Sequence, residues 1–170
     1  MLGMSQDSQL IFILHDLRSA HNVGSLFRSA DGIGVAKIYC VGYTPVPALP
    51  GRQYLTTAEK ELKKTALGAE TWIPWESRKN ISILLSKLKK EGFQIIGLEL
   101  DRRSINYQDF KPAEKVALIV GNEVDGIPKK ILDLCDAIVS IPMQGKKESL
   151  NVSVAGAIAG FHIRGKMKIR

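Results

Sequence analysis

Short, almost wholly apolar runs recur along this chain, and each stops at polar or glycine-rich residues. Residues 10–14 (LIFIL), 37–41 (KIYCV), 93–100 (FQIIGLEL), 116–120 (VALIV) and 137–141 (AIVSI) fit buried strands, with a briefer one over 71–74. Between them, apolar positions return at helical spacing. Val23, Leu26, Phe27 and Ala30 mark one inward face, with Asn22 as its candidate N-cap and Gly32 and Gly34 at its end. Residues 57–67 predict a charged helix, and 77–91 an amphipathic one with Ile81, Leu84, Leu85 and Leu88 inward. Pro128 stands early in a helix that carries Ile131, Leu132 and Leu134. Ser149 is the candidate cap of a last helix, from residue 150 to about 163. That helix holds Ala155, Gly156, Ala157, Ala159 and Gly160. A helical Gly costs roughly 1 kcal/mol against Ala, so two of them predict the close approach of another backbone. Strand–helix alternation of this kind predicts an α/β domain with parallel strands and right-handed crossovers. Residues 42–54, with three prolines, and 102–114 read as connections.

Composition narrows the class. A length of 170 residues fits a single domain, residues 1–170. No apolar run reaches the length of a membrane span. The first residues lack the basic-then-apolar order of a signal peptide, so a cytoplasmic protein is expected. Cys40 and Cys135 sit in apolar surroundings and read as reduced core residues. The formal net charge of +7 favours a polyanionic partner. Its excess is distributed over Lys87, Lys89 and Lys90, Arg102 and Arg103, Lys146 and Lys147, and residues 164–170.

Several chemistries lack their signatures. Gly32-Ile33-Gly34 follows a helix and precedes a strand, the wrong order for a dinucleotide turn. The loop around Gly145-Lys146-Lys147 lacks the first glycine and the hydroxyl of a P-loop. His15, His21 and His162 have no metal-ligand spacing, and no metal is expected. No nucleophile elbow is present. Three polar groups remain at strand ends or helix starts: Asn22 with Arg28, Gly121-Asn122-Glu123 with Gly126, and Ser149-Leu150-Asn151. In open α/β sheets, ligands bind outside the carboxyl ends of the strands.

HNVGSLFRSADGIG, LIVGNEVDGI and IPMQGKKESLNVSVAGAIA occur in that order. With them the chain resembles the SpoU-type RNA 2′-O-ribose methyltransferases of the SPOUT superfamily. The resemblance covers most of the chain, with a variable middle. It implies a parallel, twisted sheet flanked by helices, with a deep trefoil knot in the C-terminal part. It implies S-adenosylmethionine as methyl donor, held in a bent form by Leu98, Glu99, Gly121, Ile141, Met143, Ser149 and Leu150. It implies catalysis by Arg28, with Asn22, Glu123 and Asn151 around it. A guanidinium has a pKa above 12 and is a poor base. Two readings stay open: a phosphate near Arg28 accepts the proton, or Arg28 only positions and polarises. The resemblance further implies a homodimer, paired through the first and last helices, in which Arg28 reaches the partner's cofactor site. Relatives with extra RNA-binding domains differ from this chain, so the catalytic domain, its basic loops and the partner subunit are expected to hold RNA. That pattern is similar to the minimal members acting on transfer RNA, which places transfer RNA ahead of ribosomal RNA as substrate. A catalytically silent RNA-binding protein on the same fold is the alternative; the presence of Arg28, Glu123 and Asn151 argues for an enzyme.

Overall fold

The computed structural model describes residues 8–167. In chain order it contains β1 (Gln9–His15), α1 (Ala20–Ile33), β2 (Lys37–Val41), α2 (Thr57–Ala66), α3 (Ala69–Trp72), β3 (Trp75–Arg78) and α4 (Ile81–Lys90). Then follow β4 (Gln94–Leu98), β5 (Ile105–Asn106), β6 (Lys115–Val120), α5 (Lys129–Leu132), β7 (Ala137–Ser140) and α6 (Val152–Lys166). The strands form one seven-stranded sheet in the order β3-β2-β1-β6-β4-β7-β5. Every strand pairing is parallel.

The all-apolar strands are explained by helices on both faces of the sheet. Side chains alternate across a strand. Leu10, Phe12 and Leu14 of β1 and Val116, Leu118 and Val120 of β6 therefore enter one core, with Leu26 and Phe27 of α1, Leu62 of α2 and Ile163 of α6. Ile11, Ile13, Ala117 and Ile119 enter the other, with Leu84, Leu85 and Leu88 of α4 and Ile131 and Leu132 of α5. Full burial of each Leu or Ile stabilises by about 1.5–3 kcal/mol. Among the described residues no helix is long and apolar enough to cross a membrane.

Local chemistry moves several expected boundaries. Residues 71–74 are not a strand; α3 is a single turn, and the strand is β3, pairing in parallel with β2. Its sequence, WESR, carries no apolar alternation, so only its neighbour makes it a strand. The helix expected from residue 77 consequently starts at Ile81, where Asn80 Oδ1 accepts from Ile83 N. Ser19, not Asn22, caps α1: its hydroxyl accepts from Asn22 N at 3.2 Å. Asn151, not Ser149, caps α6, accepting from Ser153 N at 2.9 Å. Pro128 is the N-cap of a one-turn α5 rather than a residue inside a longer helix. The connection over 102–114 contains β5, which pairs with β7 at the sheet edge.

Gly156 and Gly160 of α6 make room for side chains, not for a backbone. A Cβ on Gly156 would stand 2.7 Å from Leu26 Cδ2, and one on Gly160 would stand 2.7 Å from Phe12 Cζ.

Candidate active site

A cavity of about 460 Å³ opens outside the carboxyl ends of β4, β6 and β7. All seven residues expected to hold the cofactor line it: Leu98, Glu99, Gly121, Ile141, Met143, Ser149 and Leu150. The volume and the mixed apolar and polar wall suit a small organic ligand. Gly121 is required sterically, because a Cβ there would lie 2.7 Å from the backbone of Gly126 and Ile127. Glu99 closes the far wall. Its Oε2 accepts from Ile127 N at 2.8 Å and its Oε1 from Leu100 N at 2.9 Å, so one carboxylate holds the loop after β6 against the end of β4.

The cavity is electrostatically opposite to the protein as a whole. Glu99, Glu123, Asp125 and Glu148 line it, and among the described residues no Lys or Arg does, in a chain of net charge +7. Such a wall favours a cationic ligand over a phosphate.

Asn22, Glu123 and Asn151 also line the cavity and form one hydrogen-bonded row. Glu123 Oε1 accepts from Asn22 Nδ2 and from Ser19 N, each at 3.0 Å, and its Oε2 accepts from Arg18 N at 2.9 Å. Asn22 Oδ1 in turn accepts from Asn151 Nδ2 at 3.1 Å. Because Ser19 takes the cap, Asn22 falls inside the first turn of α1 and its amide is free for both partners. The carboxylate also sits at the positive end of α1. Burial acts to raise the Glu123 pKa, but the donors Arg18 N, Asn22 Nδ2 and Ser19 N outweigh it and hold the carboxyl below its ordinary value.

Arg28 stands apart from this row. It is exposed on α1, in a separate groove with His21, Ser25, Ser29, Lys64 and Phe161. Among the described residues it makes no hydrogen bond or ion pair. The four expected catalytic residues therefore divide within one chain: Asn22, Glu123 and Asn151 meet, and Arg28 does not join them.

Asn122 was grouped with the site in sequence but its side chain was given no role there. It is the hinge post of the loop: Oδ1 accepts from Val124 N at 2.8 Å and Asp125 N at 2.9 Å, while Nδ2 donates to Asp16 O and to the Tyr43 hydroxyl, each at 2.8 Å. The strand-ending Gly-Asn-Glu turn was its only signal in the sequence; Tyr43 and Asp16 had none.

The basic clusters also separate. Lys146 and Lys147 are exposed in the loop that precedes Ser149 at the cavity wall. Arg164 is structural instead: its guanidinium donates to the carbonyls of Ile33, at 3.1 Å, and of Gly34, tying α6 to the end of α1. Residues 168–170 of the basic tail lie outside the described residues.

A doubly covered parallel sheet, with an acidic cavity at its carboxyl edge and a Glu–Asn–Asn row beside it, defines an α/β protein with a candidate small-molecule site. Residues 9–161 match the model of the SpoU rRNA Methylase family, and the chain belongs to that family. It is 29% identical over 149 residues to the tRNA (guanosine(18)-2'-O)-methyltransferase of Escherichia coli (strain K12), covering 88% of this chain and 60% of that protein. The chain thus spans less than two thirds of the length of that relative. A. aeolicus TrmH/SpoU tRNA modifying enzyme superposes with a TM-score of 0.77 at 27% identity, over 97% of this chain and 78% of the other. An AdoMet-bound rRNA methyltransferase from Sinorhizobium meliloti shares the fold, with a TM-score of 0.80 at 24% identity, over 96% of this chain and 58% of the other.

Proposed function

We propose that this protein is an RNA methyltransferase that moves a methyl group from S-adenosylmethionine to a ribose 2′-hydroxyl, with transfer RNA as its substrate. The observation that carries this reading is the acidic cavity joined to the Glu123–Asn22–Asn151 row in a chain of the SpoU family. S-adenosylmethionine supplies an electrophilic methyl group on a cationic sulfur. Glu99, Glu123, Asp125 and Glu148 fit that charge, and Leu98, Ile141, Met143 and Leu150 offer apolar walls to an adenine ring.

The 2′-hydroxyl loses its proton as its oxygen takes the methyl group, and S-adenosylhomocysteine leaves. Glu123 and Asn151 orient the ribose, and Asn22 holds the two in register. Arg28 positions and polarises the nucleotide, with a substrate phosphate as proton acceptor, since a guanidinium is a poor base.

In this reading the working unit is a homodimer with a composite site. The separation of Arg28 from its own chain's cavity supports it, as does the absence of any Lys or Arg among the described residues that line that cavity. Exposed Val154 and Phe161 on α6 supply apolar surface for the pairing, which would bury on the order of 2,000 Å². Residues 1–170 act as one methyltransferase domain in the cytoplasm, where thiols such as Cys40 and Cys135 stay reduced. The C-terminal part is threaded as a trefoil knot. The insertion of β6 between β1 and β4, and the return of α6 onto α1, support that threading.

Labelled S-adenosylmethionine with transfer and ribosomal RNA, followed by mapping of ribose methylation, tests the activity. Mixing inactive Arg28→Ala chains with inactive Asn151→Ala chains tests the composite site. Mixed dimers should regain activity in the half of their sites free of both lesions. Failure of proven mixed dimers to recover would place Arg28 in its own subunit's site.

A further inference from the structure

Beside the cavity, the carboxyl ends of β1, β2 and β6 carry a second built feature that the proposed chemistry does not use. Asp16, just after β1, has φ of 53°, an uncommon left-handed conformation for a residue other than Gly. Its Oδ1 accepts from Tyr43 N at 3.3 Å, two residues past the end of β2. Gly42 has φ of 70°, and a Cβ there would lie 1.8 Å from Asp16 Oδ1. The two turns are therefore nested, and they set the position of Tyr43. Its hydroxyl is held as well, accepting from Asn122 Nδ2 at 2.8 Å. Yet Tyr43 is 60% exposed. An aromatic ring anchored at its backbone and at its hydroxyl, with its surface open to solvent, has already given up the freedom that binding would otherwise remove.

Location adds to this. β6 lies between β1 and β4, so Tyr43 stands on the same sheet edge as the cavity, on the opposite side of the Asn122–Glu123 turn. Leu17 N donates to Thr44 Oγ1 at 3.0 Å, which brings exposed Arg18 next to the turn that carries Tyr43. An exposed aromatic face with a cation on the neighbouring turn suits an unstacked nucleotide: the ring takes the base and the cation takes a phosphate.

We propose that Tyr43 is a stacking platform for a base of the RNA substrate next to the methylated ribose, an inference that rests on the function proposed above. Asn122 joins the Tyr43 hydroxyl to the turn that carries Glu123, which places the ring beside the cavity. A purely structural Tyr43 would need only its hydroxyl, for Asn122. A platform needs its ring.

Steady-state methylation of bulk transfer RNA separates the two. Tyr43→Ala should raise KM for RNA roughly tenfold to a hundredfold, the scale of one lost stack, while affinity for S-adenosylmethionine stays unchanged by calorimetry. Tyr43→Phe and Tyr43→Trp should each restore most of that loss. A second measurement needs no variant: transfer RNA transcripts carrying 4-thiouridine, irradiated on the wild-type protein, should form an adduct at Tyr43. An unaltered KM in Tyr43→Ala, a Tyr43→Phe variant as impaired as Tyr43→Ala, or adducts that all map elsewhere would overturn the platform while the methyltransferase reading stands. A wild-type protein that methylates neither transfer nor ribosomal RNA would overturn both.

Discussion

Asn151 Nδ2 donates to Asn22 Oδ1 at 3.1 Å, joining the N-terminus of α6 to the first turn of α1 across 129 residues of sequence. The same Asn22 donates to Glu123, so one side chain connects three segments that meet only in the folded chain. Its two bonds fix its orientation, with oxygen toward Asn151 and nitrogen toward Glu123.

That orientation predicts an asymmetry between two substitutions. Asn22→Ala removes both bonds and should lower stability by about 1 kcal/mol. Asn22→Asp places a second carboxylate against Glu123 Oε1 and should be worse at neutral pH. The deficit of Asn22→Asp should shrink on acidification, as the pair takes up a proton. Thermal melts of both variants at two pH values check this; a gap that does not narrow in acid would count against the assigned orientation.

Arg28 is exposed and, among the described residues, unpaired, so its loss should leave the fold and cofactor affinity intact. Arg28→Ala should nevertheless lower the single-turnover rate roughly a hundredfold or more, the scale of losing one preorganised donor. Arg28→Lys should remain severely impaired, because a point charge does not reproduce the planar fork. Near wild-type turnover in the lysine variant would reduce its role to charge alone.

Lys146 and Lys147 project from the loop that reaches the cavity wall. If each meets a phosphate, replacing both with Ala should weaken RNA binding and lower the salt slope by about 1 per contact. Filter binding across a salt series measures that slope. An unchanged slope would move the RNA surface to other cations, Arg18 and Lys130 among them.

His15 sets a pH dependence of stability. Burial pushes its pKa down, Asp16 opposes this, and Lys130 adds to the depression. A folded value below the unfolded one, about 6.5, means that the unfolded chain takes up the proton first. The contribution of neutral His15 is thus fully present above that pH and declines on acidification. Glu123 acts in a lower window: its depressed pKa gives stability above the unfolded value of about 4.3, lost as pH falls through the folded value. Denaturant melts between pH 7 and 5 should show the first decline, and His15→Gln should flatten it.

The strands of the interior were legible in sequence because burial on both faces leaves an unbroken apolar run. β2 follows its apolar run from Lys37 to Val41, and β6 contains the whole of 116–120. The cavity residues were legible through motif resemblance, and the sheet topology explains why they meet: β4, β6 and β7 are neighbours, so loops distant in sequence share one edge. Caps were misread at Asn22 and Ser149, since Ser19, Asn22, Ser149 and Asn151 are all competent oxygen acceptors, and only the packing of α1 and α6 selects which one turns inward. Strand β3 was invisible because an edge strand needs a neighbour's hydrogen bonds more than an apolar pattern. The roles of Asp16, Tyr43 and Asn122 were likewise beyond the sequence, because each is defined by a partner at least 27 residues away. Periodicity records which face of an element is buried. Which polar side chains converge is settled by strand order and helix docking, and those depend on the whole chain at once.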